Sequence, residues 1–178
     1  MKKIMIATLL LTSTFAVASE PIITYAGKQI TPRDTRSTLI AKLGKPTNGD
    51  SSYSYWEKPN YSISASYGKT GLSEFGLSQM NNKPSTTSIK VRGKNITIGK
   101  DTLKTAENKL GKGCFDLVDT RFNQAYTFYI ISGVKEDLYI KFDAEYVKKS
   151  KNASMNRPVF SIKWNYEHTF PSQGCNYG

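Results

Sequence analysis

Histidine occurs once in this chain, at His168, and cysteine twice, at Cys114 and Cys175. A Ser-His-Asp or Cys-His catalytic arrangement would have to use that single histidine, and a lone histidine beside strand-end aromatics reads as structural. The same scarcity argues against a zinc site. Acidic residues are also few, 14 Asp and Glu against 25 Lys and Arg, for a formal charge of +11. A basic balance favours acidic partners, whether an acidic protein face, an anionic glycan, lipid head groups or nucleic acid. No phosphate-cradling glycine loop or nucleotide fingerprint is present, and Gly68-Lys69-Thr70-Gly71 reads as a hairpin turn by context. No apolar run is long enough to span a bilayer as a helix. The longest, Ile4 to Val17, follows Met1-Lys2-Lys3 and closes on Ala16-Val17-Ala18. That order is expected of a secretory signal peptide, residues 1–18, cut before Ser19.

Loss of the leader removes Lys2 and Lys3, taking the charge from +11 to +9. An exported product then makes nucleic acid an unexpected partner. In an oxidising compartment the even cysteine count reads as a disulfide between Cys114 and Cys175. Closing a loop of about 60 residues is worth on the order of 4 kcal/mol by the chain-entropy argument. Positive charges are scattered. The only run, Lys148-Lys149-Ser150-Lys151, is expected at a solvated hairpin tip.

What the chain does have is an internal repeat. Ile23, Gly27, Lys28, Ile30 and Thr31 return 66 residues later as Ile89, Gly93, Lys94, Ile96 and Thr97. After a one-residue insertion Asp34, Thr35, Leu43, Gly44 and Lys45 return as Asp101, Thr102, Leu110, Gly111 and Lys112. Units of this length are too long for a solenoid and suit a small αβ module. The expected division is 19–85 and 86–178.

Each unit should open with a strand and a Gly-Lys turn, then enter a short helix. In the first, Thr31-Pro32-Arg33-Asp34 has the order of an N-cap, a first-turn proline and a capping carboxylate. Leu39, Ile40 and Leu43 form the apolar stripe, and Gly44 the stop. In the second, Asp101 opens the helix, Leu103, Ala106 and Leu110 form the stripe, and Gly111 ends it. Strict alternation over Tyr61–Tyr67, Leu138–Glu145 and Phe160–Tyr166 predicts strands, as do the runs Ser51–Trp56, Leu72–Leu77, Thr87–Arg92 and Ala125–Ser132. The expected fold is α+β: two tandem helix-plus-antiparallel-sheet modules in one continuous sheet, with short helices on one face.

Eleven tyrosines, eight phenylalanines and two tryptophans are more than two short helices need as cover. Tyrosine and tryptophan are enriched at interfaces, so some should lie on the open face. Alternation places Tyr139 there with Lys141 and Lys163, and one or two of Tyr53, Tyr55 and Trp56 should join them. Asp143 and Glu145 could be read as a glycosidase-like carboxylate pair, but the simpler reading is a solvated sheet face balanced by Lys141 and Lys163. No catalytic residue, metal or cofactor is expected.

Ile96-Thr97-Ile98-Gly99-Lys100-Asp101-Thr102, followed by Leu110-Gly111-Lys112, resembles the I-x-x-G-x-T…LG-x-P opening of the BamE/SmpA and β-lactamase inhibitor protein-like modules. The first unit is similar through Ile30, Thr35, Leu43, Gly44, Lys45 and Pro46, with Arg33 where the glycine is expected. The resemblance implies a secreted, two-module protein whose concave sheet grips an enzyme with aromatic and polar side chains. Two features depart from it: one cysteine pair serves the whole chain, and the lipid-bearing cysteine of BamE-type proteins is missing.

The function expected is therefore an exported binding protein, monomeric when free, that blocks another protein presenting an acidic face. The target would be a cell-wall hydrolase, a β-lactamase-like enzyme or a delivered toxin, the last making it an immunity protein. The alternative is a structural envelope factor that binds outer-membrane proteins or anionic polymers.

Overall fold

The computed structural model describes residues 20–81, 83–120, 123–132 and 138–166. The first half runs β1 (Ile22–Tyr25), β2 (Lys28–Ile30), α1 (Arg36–Leu43), β3 (Asn48–Gly49), β4 (Tyr53–Lys58), β5 (Tyr61–Gly68) and β6 (Gly71–Gln79). The second half runs β7 (Ser88–Val91), β8 (Lys94–Thr97), α2 (Leu103–Leu110), β9 (Cys114–Thr120), β10 (Asn123–Ile131), β11 (Tyr139–Glu145), α3 (Lys151–Met155) and β12 (Val159–Asn165). The expected leader, His168 and Cys175 lie outside the described residues.

The repeated sequence makes the same opening twice. Ala26 and Gly27 join β1 to β2 with φ of 47° and 75°, and Arg92 and Gly93 join β7 to β8 with the same two values. Positive φ at both central residues is the type I′ turn, whose twist matches that of the strands it connects. Each hairpin sets isoleucine against isoleucine, Ile23 with Ile30 and Ile89 with Ile96. Ile23 also stands opposite Ile89, so β1 and β7 pair the two copies directly. All four isoleucines are fully buried.

Both helices start later than the local sequence signals suggest. The N-caps are Thr35 and Thr102, which accept from Thr38 N and Thr105 N, rather than Thr31 and Asp101. The reason is the preceding aspartate. Asp34 accepts from Thr31 N at 2.9 Å and Asp101 from Thr97 N at 2.7 Å, so each carboxylate closes a turn before its helix begins. Lys42 and Lys109, two turns further on, donate to the same aspartates. Leu39 and Leu43 of α1, and Leu103, Ala106 and Leu110 of α2, are buried; Ile40 is only half-buried. Gly44 and Gly111 end the helices at φ of 82° and 94°.

The strands form antiparallel ladders, giving an α+β protein, but they divide between two sheets instead of one. The small sheet has the order β2-β1-β7-β8 and the large one β3-β4-β5-β6-β12-β11-β10-β9. The division arises because the free edge of β1 is taken by β7, closing the two hairpins on each other. One apolar cluster joins the small sheet and the helices to one face of the large sheet. Trp56, Phe75, Phe128, Phe142 and Trp164 are its largest fully buried side chains. Each such burial stabilises the fold by roughly 1.5–3 kcal/mol.

The basic run Lys148–Lys151 is not a bare hairpin tip. Ser150 accepts from Ala153 N and caps α3, and Lys151 opens that helix with its ammonium 5.2 Å from the Phe115 ring centre. A register shift against β12 at Asp143/Ala144 accompanies this insertion, while the pairing with β10 runs on regularly through Asp143 and Glu145, so the two carboxylates keep their alternation and differ in cover. Asp143 is buried and accepts from Thr127, whereas Glu145 is exposed beside Arg157.

Candidate functional site

With the helices on one face of the large sheet, the other face is where binding side chains can gather. Strand register sets Tyr55, Ser64, Gly76, Lys163, Lys141 and Tyr129 directly opposite one another across six strands, from β4 to β10. Three of the expected residues, Tyr55, Lys141 and Lys163, thus stand in one transverse row. Tyr53 lies on the same face opposite Ser66 and is 38% exposed.

The two remaining expectations need correction. Trp56 belongs to the core: it is 0% exposed and its indole N–H donates to Gly44 O at 2.8 Å, tying β4 to the end of α1. Its neighbours in alternation, Tyr53 and Tyr55, consequently point the other way. Tyr139 is on the predicted face, opposite Asn165, but both are buried, at 7% and 3% exposure. Thr127, Tyr129 and Asp143 on the same side of β10 and β11 are buried as well. Alternation identifies a side chain's face and says nothing of its cover. The accessible area is accordingly centred on β4, β5, β6 and β12.

The charge on this face is balanced. Lys163 Nζ lies 2.9 Å from Glu74 Oε1, and Lys141 Nζ 3.4 Å from Asp143 Oδ1. Thr127 donates to Asp143 Oδ1 at 2.7 Å. Lys141 and Lys163 are thus each matched to a carboxylate, and this row of the face adds no net positive charge.

Between Tyr55 and Lys163 lie only Ser64 and Gly76, across a span of about 14 Å at the usual strand spacing. Neighbouring rows add Ser62, Ser78 and Ser161, with Ser78 Oγ donating to Ser161 Oγ at 3.0 Å. Small side chains flanked by large ones leave a cavity of about 210 Å³, bordered by Tyr55, Lys141, Asp143 and Lys163. The alternation of β5 predicted the serines; the hollow was missed. Its signal was Gly76, a glycine in mid-strand.

Cys114 opens β9 and is buried; no cysteine among the described residues is free. No group of three or more His, Cys, Asp or Glu side chains among the described residues is placed to hold a metal ion. No helix of those residues is long and apolar enough to cross a membrane.

No family model matches the chain, and no curated protein matches it in sequence. Among solved structures, a cysteine-rich secretory protein from Staphylococcus aureus subsp. aureus Mu50 aligns over 81% of this chain with a TM-score of 0.42 and 10% identity. This chain spans 50% of that protein's length. A likeness so distant carries no argument about function.

Proposed function

We propose that the chain is an exported, non-enzymatic binding protein that docks another protein on the accessible face of its large sheet and thereby inhibits or neutralises it. The observation that carries this reading is the row Tyr55–Ser64–Gly76–Lys163–Lys141. It combines an aromatic, hydroxyls and paired charges on a sheet face that no described helix covers. Tyr53 extends the row's aromatic end. Partly exposed tyrosines are the anchors such a contact needs. The balanced ion pairs supply orientation, and the net charge of +9 on the processed chain steers encounter with an acidic partner over longer range.

The organisation is read as two tandem modules, 19–85 and 86–178, after removal of residues 1–18. Duplicate hairpins, duplicate Asp–Lys clasps and duplicate threonine caps support it. The resemblance to the β-lactamase inhibitor protein-like and BamE/SmpA modules, and the Cys114–Cys175 bridge, belong to the same proposal. The candidate targets are a cell-wall hydrolase, a β-lactamase-like enzyme or a delivered toxin.

One observation favours a second reading, an envelope factor that binds anionic polymers. β1, β2, β7 and β8 carry Lys28, Lys90 and Lys94 and no acidic residue. Mature protein immobilised in an envelope extract separates the two. A stoichiometric protein that stays bound in moderate salt supports the docking reading. Recovery of salt-labile anionic polymer alone supports the second.

A further inference from the structure

We propose that the cavity beside Gly76 is a binding site for a single neutral sugar ring. The proposal goes beyond protein docking and does not depend on it.

Gly76 is the starting point. A glycine inside a strand weakens it and marks a bulge, a special backbone angle, or a place where something approaches closely. The pairings of Gly76 with Ser64 and Lys163 run on without a register shift, so there is no bulge. Its φ is not among the positive values, so any residue fits its backbone. A Cβ there would meet only Ser64 Oγ at 2.9 Å and Lys163 Cγ at 3.9 Å, both on side chains that can turn aside. Nothing in the fold requires glycine. What its missing side chain provides is the hollow.

Size and chemistry then narrow the occupant. A volume of about 210 Å³ is below the roughly 300–1,000 Å³ of sites for drug-sized molecules, and leaves room for one ring. A simple anion would have to compete with Glu74 and Asp143 for the two ammonium groups. A hydroxylated ring leaves both ion pairs in place, accepting from each lysine and donating to Asp143, the carboxylate that borders the cavity. Ser64, Ser78 and Ser161 present hydroxyls that donate or accept as the ligand requires. The Tyr55 side chain borders the cavity and supplies an aromatic wall for the C–H face of a pyranose.

The test is amide chemical-shift titration of the mature, oxidised protein with glucose, galactose and N-acetylglucosamine, and separately with acetate and inorganic phosphate. The expected result is saturable shifts confined to β5, β6 and β12 with at least one sugar, insensitive to added salt. Gly76→Val should weaken that response at least about tenfold, whereas Lys90→Glu, on the small sheet, should leave it unchanged. Should Gly76→Val fail to fold, Ser161→Val provides the same comparison. Silence toward every sugar from folded wild-type protein overturns the proposal, as does a response to acetate or phosphate alone. Loss of a captured protein partner on Gly76→Val, with no sugar response in wild type, would assign the cavity to protein docking instead.

Discussion

Tyr53 and Trp56 lie three positions apart on one strand and have opposite fates. Trp56→Ala should cost about 3–5 kcal/mol in urea unfolding, because it empties a fully buried site and orphans the Gly44 carbonyl. Tyr53→Ala, at an exposed position, should change stability by no more than about 0.5 kcal/mol while weakening partner binding. Asp34 makes a different kind of contribution. Burial pushes its carboxyl upward, but the hydrogen bonds from Lys42, Thr31 N and Thr38 outweigh this and hold it below the usual carboxylate value. A depressed folded pKa stabilises above the unfolded value, near pH 4, and that stability is lost as pH falls through the folded pKa. Asp34→Asn should therefore lower stability at pH 7 by about 1–3 kcal/mol and flatten the decline below pH 4. Unfolding midpoints measured from pH 2 to 7 check both parts.

The elements most legible in the sequence were those with short-range causes. Ile23 and Ile89 begin matching hairpins because the turn and its flanking isoleucines recur together, and Gly44 and Gly111 mark the helix ends. The helix starts were misplaced because Thr31 and Asp34 carry capping chemistry but use it to close a turn. The second sheet was not legible: β1 taking β7 as its neighbour is a choice between distant edges, which no local pattern encodes. Nor was the hollow, which needs Ser64 and Gly76 set between Tyr55 and Lys163 by pairing across four strands. The hairpins also suggest an improvement. Ala26 sits exposed at φ 47°, a left-handed conformation alanine disfavours and asparagine tolerates. Ala26→Asn should raise stability by about 0.5–1 kcal/mol in thermal melts. The equivalent Arg92 should not be replaced. Its guanidinium donates to Leu110 O and Ile131 O, clasping the end of α2 to β10, and Arg92→Ala should destabilise by about 1.5–3 kcal/mol.

For the whole molecule the charge and the candidate site are separated: the excess of lysine is spread widely, while the accessible sheet face is balanced. Encounter with a partner should therefore depend on salt, and residence on the face itself. If Cys114 and Cys175 are bridged as proposed, reduction should lower stability by on the order of 4 kcal/mol, with a two-dalton mass change on opening the bond. The central claim is that the β4–β6 and β12 face holds the partner. Its most direct test is capture from the native envelope with four immobilised proteins: wild type, Tyr55→Ala, Lys163→Glu and Lys90→Glu, each shown to be folded. We predict one stoichiometric protein retained by wild type and by Lys90→Glu and lost from the other two. Equal retention by all four would contradict the account and place the binding surface elsewhere.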